Sequence, residues 1–304
     1  MSGDIGASGQ KLCTAARAGA GLDDHRIEEL SALARRAARA GADQLRGLFG
    51  RITRIRSKGS AGNLVTEADL AAEQAVLAVL AEATPDVAVL AEESGRRGGS
   101  GDLEWCVDPL DGTTNYAHGF PFFATSVGLL WRGLPLLGAL EAPALEQSFW
   151  AAAGQGGWCN GQRLAVSDCG HVRDALLATG FAYDRTTRRD NNYAEFAWFT
   201  HRSHGVRRAG AAALDLAYVA AGRLDGYWER GLSAWDLAAG VVLVEEAGGV
   251  VSGYDGSRLA ISEGRLIACA PGLHGELVQG LAHCRPLPGS SYGAAELDGT
   301  ESDV

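Results

Sequence analysis

The sequence predicts an α/β protein in two layered halves, an α+β front and an α/β back. Three observations carry this. Apolar runs at Phe122–Trp131, Leu134–Glu141 and Gln147–Ala152 are short and closely spaced, as in an antiparallel meander. Beyond Asp174 the rhythm changes to short strands alternating with helix-length apolar stripes, as in an α/β sheet. A chain of 304 residues that is 46% hydrophobic can bury one large core or two modest ones. The expected organisation is a loose Gly/Ala/Ser-rich leader over 1–22, an N-terminal half over 23–150, a C-terminal half over 151–285 and a disordered acidic tail over 286–304.

The elements follow in order. From Asp23 to Leu48 apolar residues (Ile27, Leu30, Leu33, Ala34, Ala37, Leu45) recur at helical spacing, and Gly50 ends the stripe. A second helix is expected from Thr66 to Ala83, stopped by Pro85. Val87–Glu92 reads as a strand and Gly95–Gly101 as a glycine-rich loop. Arg132-Gly133 reads as a hairpin turn between the first two runs of the meander. In the back half, strands are expected at Leu176–Gly180, Leu224–Trp228 and Arg265–Ala270. Helices are expected at Asn191–His201, Ala212–Ala221, Ser233–Ala247 and Gly272–His283.

A net charge of −10 and a pI near 5.2 argue against a nucleic-acid-binding protein, which carries a basic patch. No apolar run reaches membrane-spanning length, and the first residues lack the apolar core of a signal peptide. The six cysteines lie far apart with no Cys-x-x-Cys pair, so free thiols in a reducing cytoplasm are expected.

The chemistry concentrates at Trp105-Cys-Val-Asp108-Pro-Leu-Asp111-Gly-Thr113-Thr-Asn115. An apolar, strand-like run ends in two aspartates with a proline between them. Proline has no N–H to donate and fixes its own φ, so the chain must leave the sheet here. Both carboxylates then project from a strand's carboxyl end, where hard cations such as Mg²⁺ find the oxygen ligands they need. If Gly112 and Thr113 open a helix, their amides suit a phosphate. Asp, Pro and Gly are equally good turn formers, so this segment alone reads as a turn or as a metal site.

More acids stand elsewhere. Val89-Leu-Ala-Glu92-Glu93 ends a strand, and alternation lets only one glutamate face a shared site; Glu92 is the candidate ligand. Ser233-Ala-Trp-Asp236 and Thr66-Glu-Ala-Asp69 are both helix-capping patterns, a role compatible with presenting an oxygen to a metal or a water. Lys58 is either a solvated lysine or a phosphate contact. Glu229 can hydrogen-bond a hydroxylated substrate or pair with Arg230 or another arginine. Arg185–Arg189 and Arg207-Arg208 read as surface or interface charges, and His118 is the histidine nearest the acids in sequence. The paired aspartates with the Gly112-Thr113 amides suggest metal-assisted phosphoryl hydrolysis, and no Ser-His-Asp or Cys-His arrangement emerges, so no covalent mechanism is expected.

These segments resemble the inositol monophosphatase family of Mg²⁺-dependent, lithium-sensitive phosphatases. Asp108-Pro-Leu-Asp111-Gly-Thr113-Thr-Asn115 is similar to its first signature. Trp235-Asp236-Leu-Ala-Ala-Gly240, running to Glu246-Ala-Gly-Gly249, is similar to its second. Lys58, Asn63 to Asp69, Glu92-Glu93-Ser94, Gly210-Ala-Ala-Ala and Glu229 fall in the family's order, and the likeness spans roughly residues 25–283.

The resemblance implies a layered αβαβα sandwich with an antiparallel front sheet and a mixed back sheet, usually as a homodimer in the cytoplasm. It implies two to three Mg²⁺ ions: Glu92, Asp108 and the Leu110 carbonyl at the first, Asp108, Asp111 and Asp236 at the second, and a weaker third near Glu92. Asp69 and Thr113 would orient the attacking water, the Gly112 and Thr113 amides would bind phosphate, and Asp111, Ala212 and Glu229 would contact an inositol ring. The expected substrate is inositol 1-phosphate or a similar polyol phosphate. Histidinol phosphate, fructose 1,6-bisphosphate and a 3′-phosphonucleotide are the alternatives, and a binding role with the transcription machinery is the reading from another class. Two departures stand out: Ala91 where the family often has glycine, and Ala211 in place of a hydroxyl-bearing residue.

Overall fold

The computed structural model describes residues 11–52, 54–57 and 64–285. The tail over 286–304 and Lys58 lie outside the described residues. The helices are α1 (Leu12–Ala20), α2 (Asp24–Leu48), α3 (Glu67–Ala83), α4 (Thr113–Ala117), α5 (Tyr193–Thr200), α6 (Ala212–Ala220), α7 (Ala234–Glu246) and α8 (His274–His283). A short antiparallel ribbon, β1 (Ile55–Ser57) with β2 (Leu64–Thr66), precedes α3.

The larger sheet holds β3 (Ala88–Ala91), β4 (Gly95–Arg97), β5 (Leu103–Asp111), β6 (Ala124–Trp131), β7 (Leu134–Ala142), β8 (Gln147–Ala152), β9 (Gly156–Cys159) and β10 (Gln162–Arg163). Their order is β10-β9-β8-β7-β6-β5-β3-β4, and every neighbour is antiparallel except β3 and β5. The smaller sheet holds β11 (Leu176–Thr179), β12 (Gly205–Arg207), β13 (Gly226–Arg230), β14 (Val250–Ser252) and β15 (Arg265–Cys269) in the order β12-β11-β13-β15-β14. It is mixed, with β11 parallel to β12 and β13, and β15 antiparallel to β13 and β14.

Helices α1, α2 and α3 cover one face of the large sheet, and α6 and α7 fill the space between the two sheets. Helices α5 and α8 pack outside the small sheet, completing the αβαβα sandwich. The apolar stripe of α2 explains its place, since Ile27, Leu30, Leu33, Ala34, Ala37 and Leu45 are all buried. Helix α7 is apolar on every side because it lies between two sheets, with Leu237 through Glu245 buried without interruption. It also lies very close to the large sheet. A Cβ at Gly138 would sit 2.3 Å from Ala239 Cα, and one at Gly128 2.6 Å from Ala238 Cβ. Among the described residues no helix is long and apolar enough to cross a membrane.

Three details correct the sequence reading. The loose leader contains α1, whose Leu12, Cys13 and Ala16 are buried. Its cause is remote in sequence: the buried Glu245 carboxylate accepts the Leu12 and Cys13 amides at 2.8 Å each, satisfying helix-start donors that would otherwise be orphaned. Gly95–Arg97, expected as loop, pairs with β3. Strand β13 begins two residues later than expected, because the Asp225 carboxylate accepts Ser167 Oγ and the Leu176 amide at 2.6 Å each and so turns the chain there. All six cysteines are free thiols, four of them buried.

Replacing Glu245 by alanine leaves two buried amides without acceptors and is expected to lower stability by about 2 kcal/mol in urea unfolding. A change within experimental error would mean that the carboxylate does not hold α1 in place.

Candidate active site

Asp108 and Asp111 are three residues apart, so on a regular strand they would face opposite sides. Strand β5 avoids this with a bulge: Asp108 pairs with Ser126 and Asp111 with Ala124, so three steps on β5 span two on β6. Proline at the bulge forfeits no ladder bond, and its carbonyl accepts Thr125 Oγ1 at 2.9 Å. Gly112 follows at φ 91° and starts α4, where a Cβ would meet the Phe122 carbonyl at 2.9 Å. Asn115 on α4 donates to the carbonyls of Phe122 (2.7 Å) and Ala209 (2.8 Å), tying the loop before α6 to the signature segment.

The third acid comes from the other half of the chain. Asp236 accepts the Ser233 amide at 2.6 Å at the start of α7, the reciprocal arm of a capping box. The other two aspartates are tethered in the same way. Asp108 Oδ1 accepts the Leu110 amide at 3.0 Å, and Asp111 Oδ2 accepts the Ala213 amide of α6 at 2.8 Å. Each aspartate therefore spends one oxygen on a backbone amide. Asp108, Asp111 and Asp236 each present an oxygen within 4.8 Å of the other two.

Burial and mutual repulsion raise all three carboxyls. Asp111 is pushed up to about 7 and Asp236 to about 8, chiefly by burial, and Asp108 is well above the usual carboxylate range. The charge of Glu92 adds to the rise in each. Glu92 follows β3, and its amide donates to the Val107 carbonyl on β5. The next amide, of Glu93, donates to the Glu73 carboxylate at 2.9 Å. Ala91 has no positive φ, so alanine fits at that position.

Asp69 lies buried beside this floor. Its Oδ2 accepts the Thr66 amide (2.7 Å) and hydroxyl (2.6 Å), and its Oδ1 lies 3.0 Å from Thr113 Oγ1. Thr113 Oγ1 is also 3.0 Å from the Leu110 carbonyl, so its single hydrogen can go to either acceptor.

Glu92, Asp108, Leu110, Asp111, Gly112, Thr113, Ala212, Glu229 and Asp236 line one cleft of about 590 Å³. Glu229 takes the hydroxyl of buried Tyr227, and burial raises its carboxyl to about 7. It does not pair with Arg230, which reaches Asp184 at 2.6 Å. Glu229 and Gly180 nearly touch: a Cβ at Gly180 would lie 2.0 Å from the Glu229 carboxylate. His118 is exposed and does not line the cleft.

Sequence reasoning missed several residues here. Arg185 and Arg208, expected as surface or interface charges, line the cleft. Tyr183 lines it too, and Glu92 and Asp236 are the acids that weigh most on its hydroxyl. Glu73 lies one helical turn beyond Asp69, a spacing that places it on the same face of α3. Buried Asp215 has an oxygen with no partner and is the lone acid in the otherwise apolar α6, a signal the sequence did carry.

The raised pKa values give a sign to pH dependence. A folded carboxyl at 7–8 against about 3.9 when unfolded contributes stability below pH about 4 that is lost as pH rises through 8. With chelator present, the unfolding temperature is expected to fall from pH 5 to 8.5, and Asp236→Asn should flatten that fall. A rise or a flat profile in the unmutated protein would contradict the repulsive cluster.

The family profile of inositol monophosphatases matches residues 26–285. An inositol-1-monophosphatase of Synechocystis sp. is 48% identical over 82% of this chain and 88% of its own length. The Nus factor SuhB of Pseudomonas aeruginosa is 43% identical over 78% of this chain and 89% of its own. An inositol monophosphatase structure from Anabaena (Nostoc) sp. superposes with a TM-score of 0.79 at 44% identity, covering 86% of this chain and 98% of that one. The fold, the cleft and these likenesses agree, and the chain belongs to the inositol monophosphatase family of phosphatases.

Proposed function

We propose that the protein is a Mg²⁺-dependent phosphomonoesterase that hydrolyses inositol 1-phosphate or a similar polyol phosphate, with water as the nucleophile. One observation carries this reading: three amide-tethered carboxylates converge within 4.8 Å at the floor of a cleft. Their donor set is all oxygen, as hard divalent cations require, so the residues fit Mg²⁺. Glu92, Asp108 and the Leu110 carbonyl would hold one ion, and Asp108, Asp111 and Asp236 a second. Glu92 would border a weaker third. Bound there, the ions would lower the pKa of water and neutralise phosphate charge.

The chain's own groups do the rest. Thr113, hydrogen-bonded toward Asp69, orients the attacking water with that carboxylate as the acceptor. The Gly112 and Thr113 amides receive phosphate oxygens, and Lys58 is assigned there from sequence. Asp111, Ala212 and Glu229 face the ring, Glu229 accepting from its hydroxyls. Phosphoryl transfer needs positioning and charge stabilisation rather than a protein nucleophile. The relatives named Nus factor SuhB support a second reading, a binding role with the transcription machinery. Binding of RNA polymerase that survives in an inactive Asp108→Asn variant would favour it.

Phosphate release should be measured with Mg²⁺ on inositol 1-phosphate, histidinol phosphate, fructose 1,6-bisphosphate and an aryl phosphate. Asp108→Asn and Asp236→Asn are each expected to reduce turnover at least a hundredfold while remaining folded. Glu229→Gln should cost more on inositol 1-phosphate than on the aryl ester. Near-normal activity in either aspartate variant would overturn the metal assignment, and equal losses on both esters would remove Glu229 from the ring contacts.

A further inference from the structure

One wall of the cleft is a strap between β11 and α5, whose Phe181, Ala182, Tyr183 and Arg185 line it. The strap is fixed at several points. The Asp184 carboxylate binds Arg230 Nη2 at 2.6 Å, and that arginine side chain is only 8% exposed. Arg230 directly follows Glu229, so the strand that turns Glu229 toward the cleft anchors the strap from its next residue. Phe181 packs against Tyr193 and Phe196 with ring centroids 5.1 and 5.7 Å apart. Buried Asn192 closes the strap by donating to Thr179 Oγ1 and the Gly180 carbonyl, each at 2.7 Å.

Arg185 is half-buried on this anchored wall. Its guanidinium makes one long bond, 3.3 Å to the Ala182 carbonyl of its own turn, and no ion pair with a carboxylate among the described residues. Its neighbours behave differently: Arg188 pairs with Asp184, Arg230 with Asp184 and Asp190, and Arg265 with Asp190. Arg208 also lines the cleft, and its positive charge acts on the buried carboxyls of Glu229 and Asp215, lowering both. A guanidinium presents several donors in a planar fork matched to phosphate and carboxylate oxygens. Held on a cleft wall without an acid, it offers that fork to whatever enters.

We infer that Arg185 receives a second anionic group where the substrate carries one, so that among polyol phosphates the cleft prefers those bearing a further phosphate or carboxylate away from the scissile ester. This rests on the phosphatase reading and narrows its substrate class. The test compares inositol 1-phosphate with inositol 1,4-bisphosphate on the wild type, Arg185→Gln and Arg185→Lys, by turnover and by calorimetric binding. Arg185→Gln is expected to raise KM for the bisphosphate at least tenfold more than for the monophosphate, about 1.4 kcal/mol of discrimination, with the loss in KM rather than kcat. Arg185→Lys should recover part of it, since the charge returns without the fork. Equal changes on both esters, in KM or in binding, would overturn the assignment. Absent turnover with an Arg185-dependent binding preference for the bisphosphate would support the assignment and sink the phosphatase reading alone.

Discussion

The rest of the site depends on three buried carboxylates held close together against their own repulsion. Bringing such groups out of water and within 5 Å of one another is unfavourable, and the chain resists their separation by giving each one a backbone amide. The amides come from three places: the β5 bulge, the start of α6 and the start of α7. Each is an amide that the local backbone leaves without an ordinary partner, so the tether satisfies donor and acceptor together. One oxygen of each aspartate stays uncommitted to these bonds. Because burial and mutual repulsion raise all three carboxyls, a cation bound among them would be taken up against protons, coupling cation binding to proton release.

The layered fold makes this arrangement obligatory. The front sheet supplies Asp108 and Asp111, and the back half supplies Asp236, Glu229 and the Ala213 amide. Neither half holds a complete site. Helices α6 and α7 must lie between the sheets at a fixed depth, and the glycines of β6 and β7 set that depth by letting α7 approach. The Asp184–Arg230 pair carries the same logic outward to the cleft wall, since one strand orients Glu229 inward and anchors the strap with the residue beside it.

The acids were legible in the sequence because their chemistry is local. Asp-Pro-Leu-Asp announces a chain leaving a strand. Ser-x-x-Asp and Thr-x-x-Asp announce helix starts, and the structure places Asp236 and Asp69 in those caps while turning them to the cleft floor and to Thr113. Residues whose role depends on distant partners were not legible. Arg185 looked like one of a run of surface arginines, because nothing local says which member faces a cleft. Helix α1 looked like loose chain, because its cap is a carboxylate 233 residues away. The start of β13 was misplaced for the same reason, the cause being the Asp225 bonds to residues 49 and 58 positions earlier.

The central claim is that the acid cluster holds protons that a divalent cation replaces. Calorimetric titration of the chelator-treated protein with Mg²⁺, repeated at pH 7 in buffers of different ionisation enthalpy, measures that exchange directly. Proton release on binding that shrinks toward zero by pH 9.5 and is lost in an Asp108→Asn, Asp236→Asn double variant is the predicted result. Mg²⁺ binding without proton release, or binding unchanged in the double variant, would contradict it.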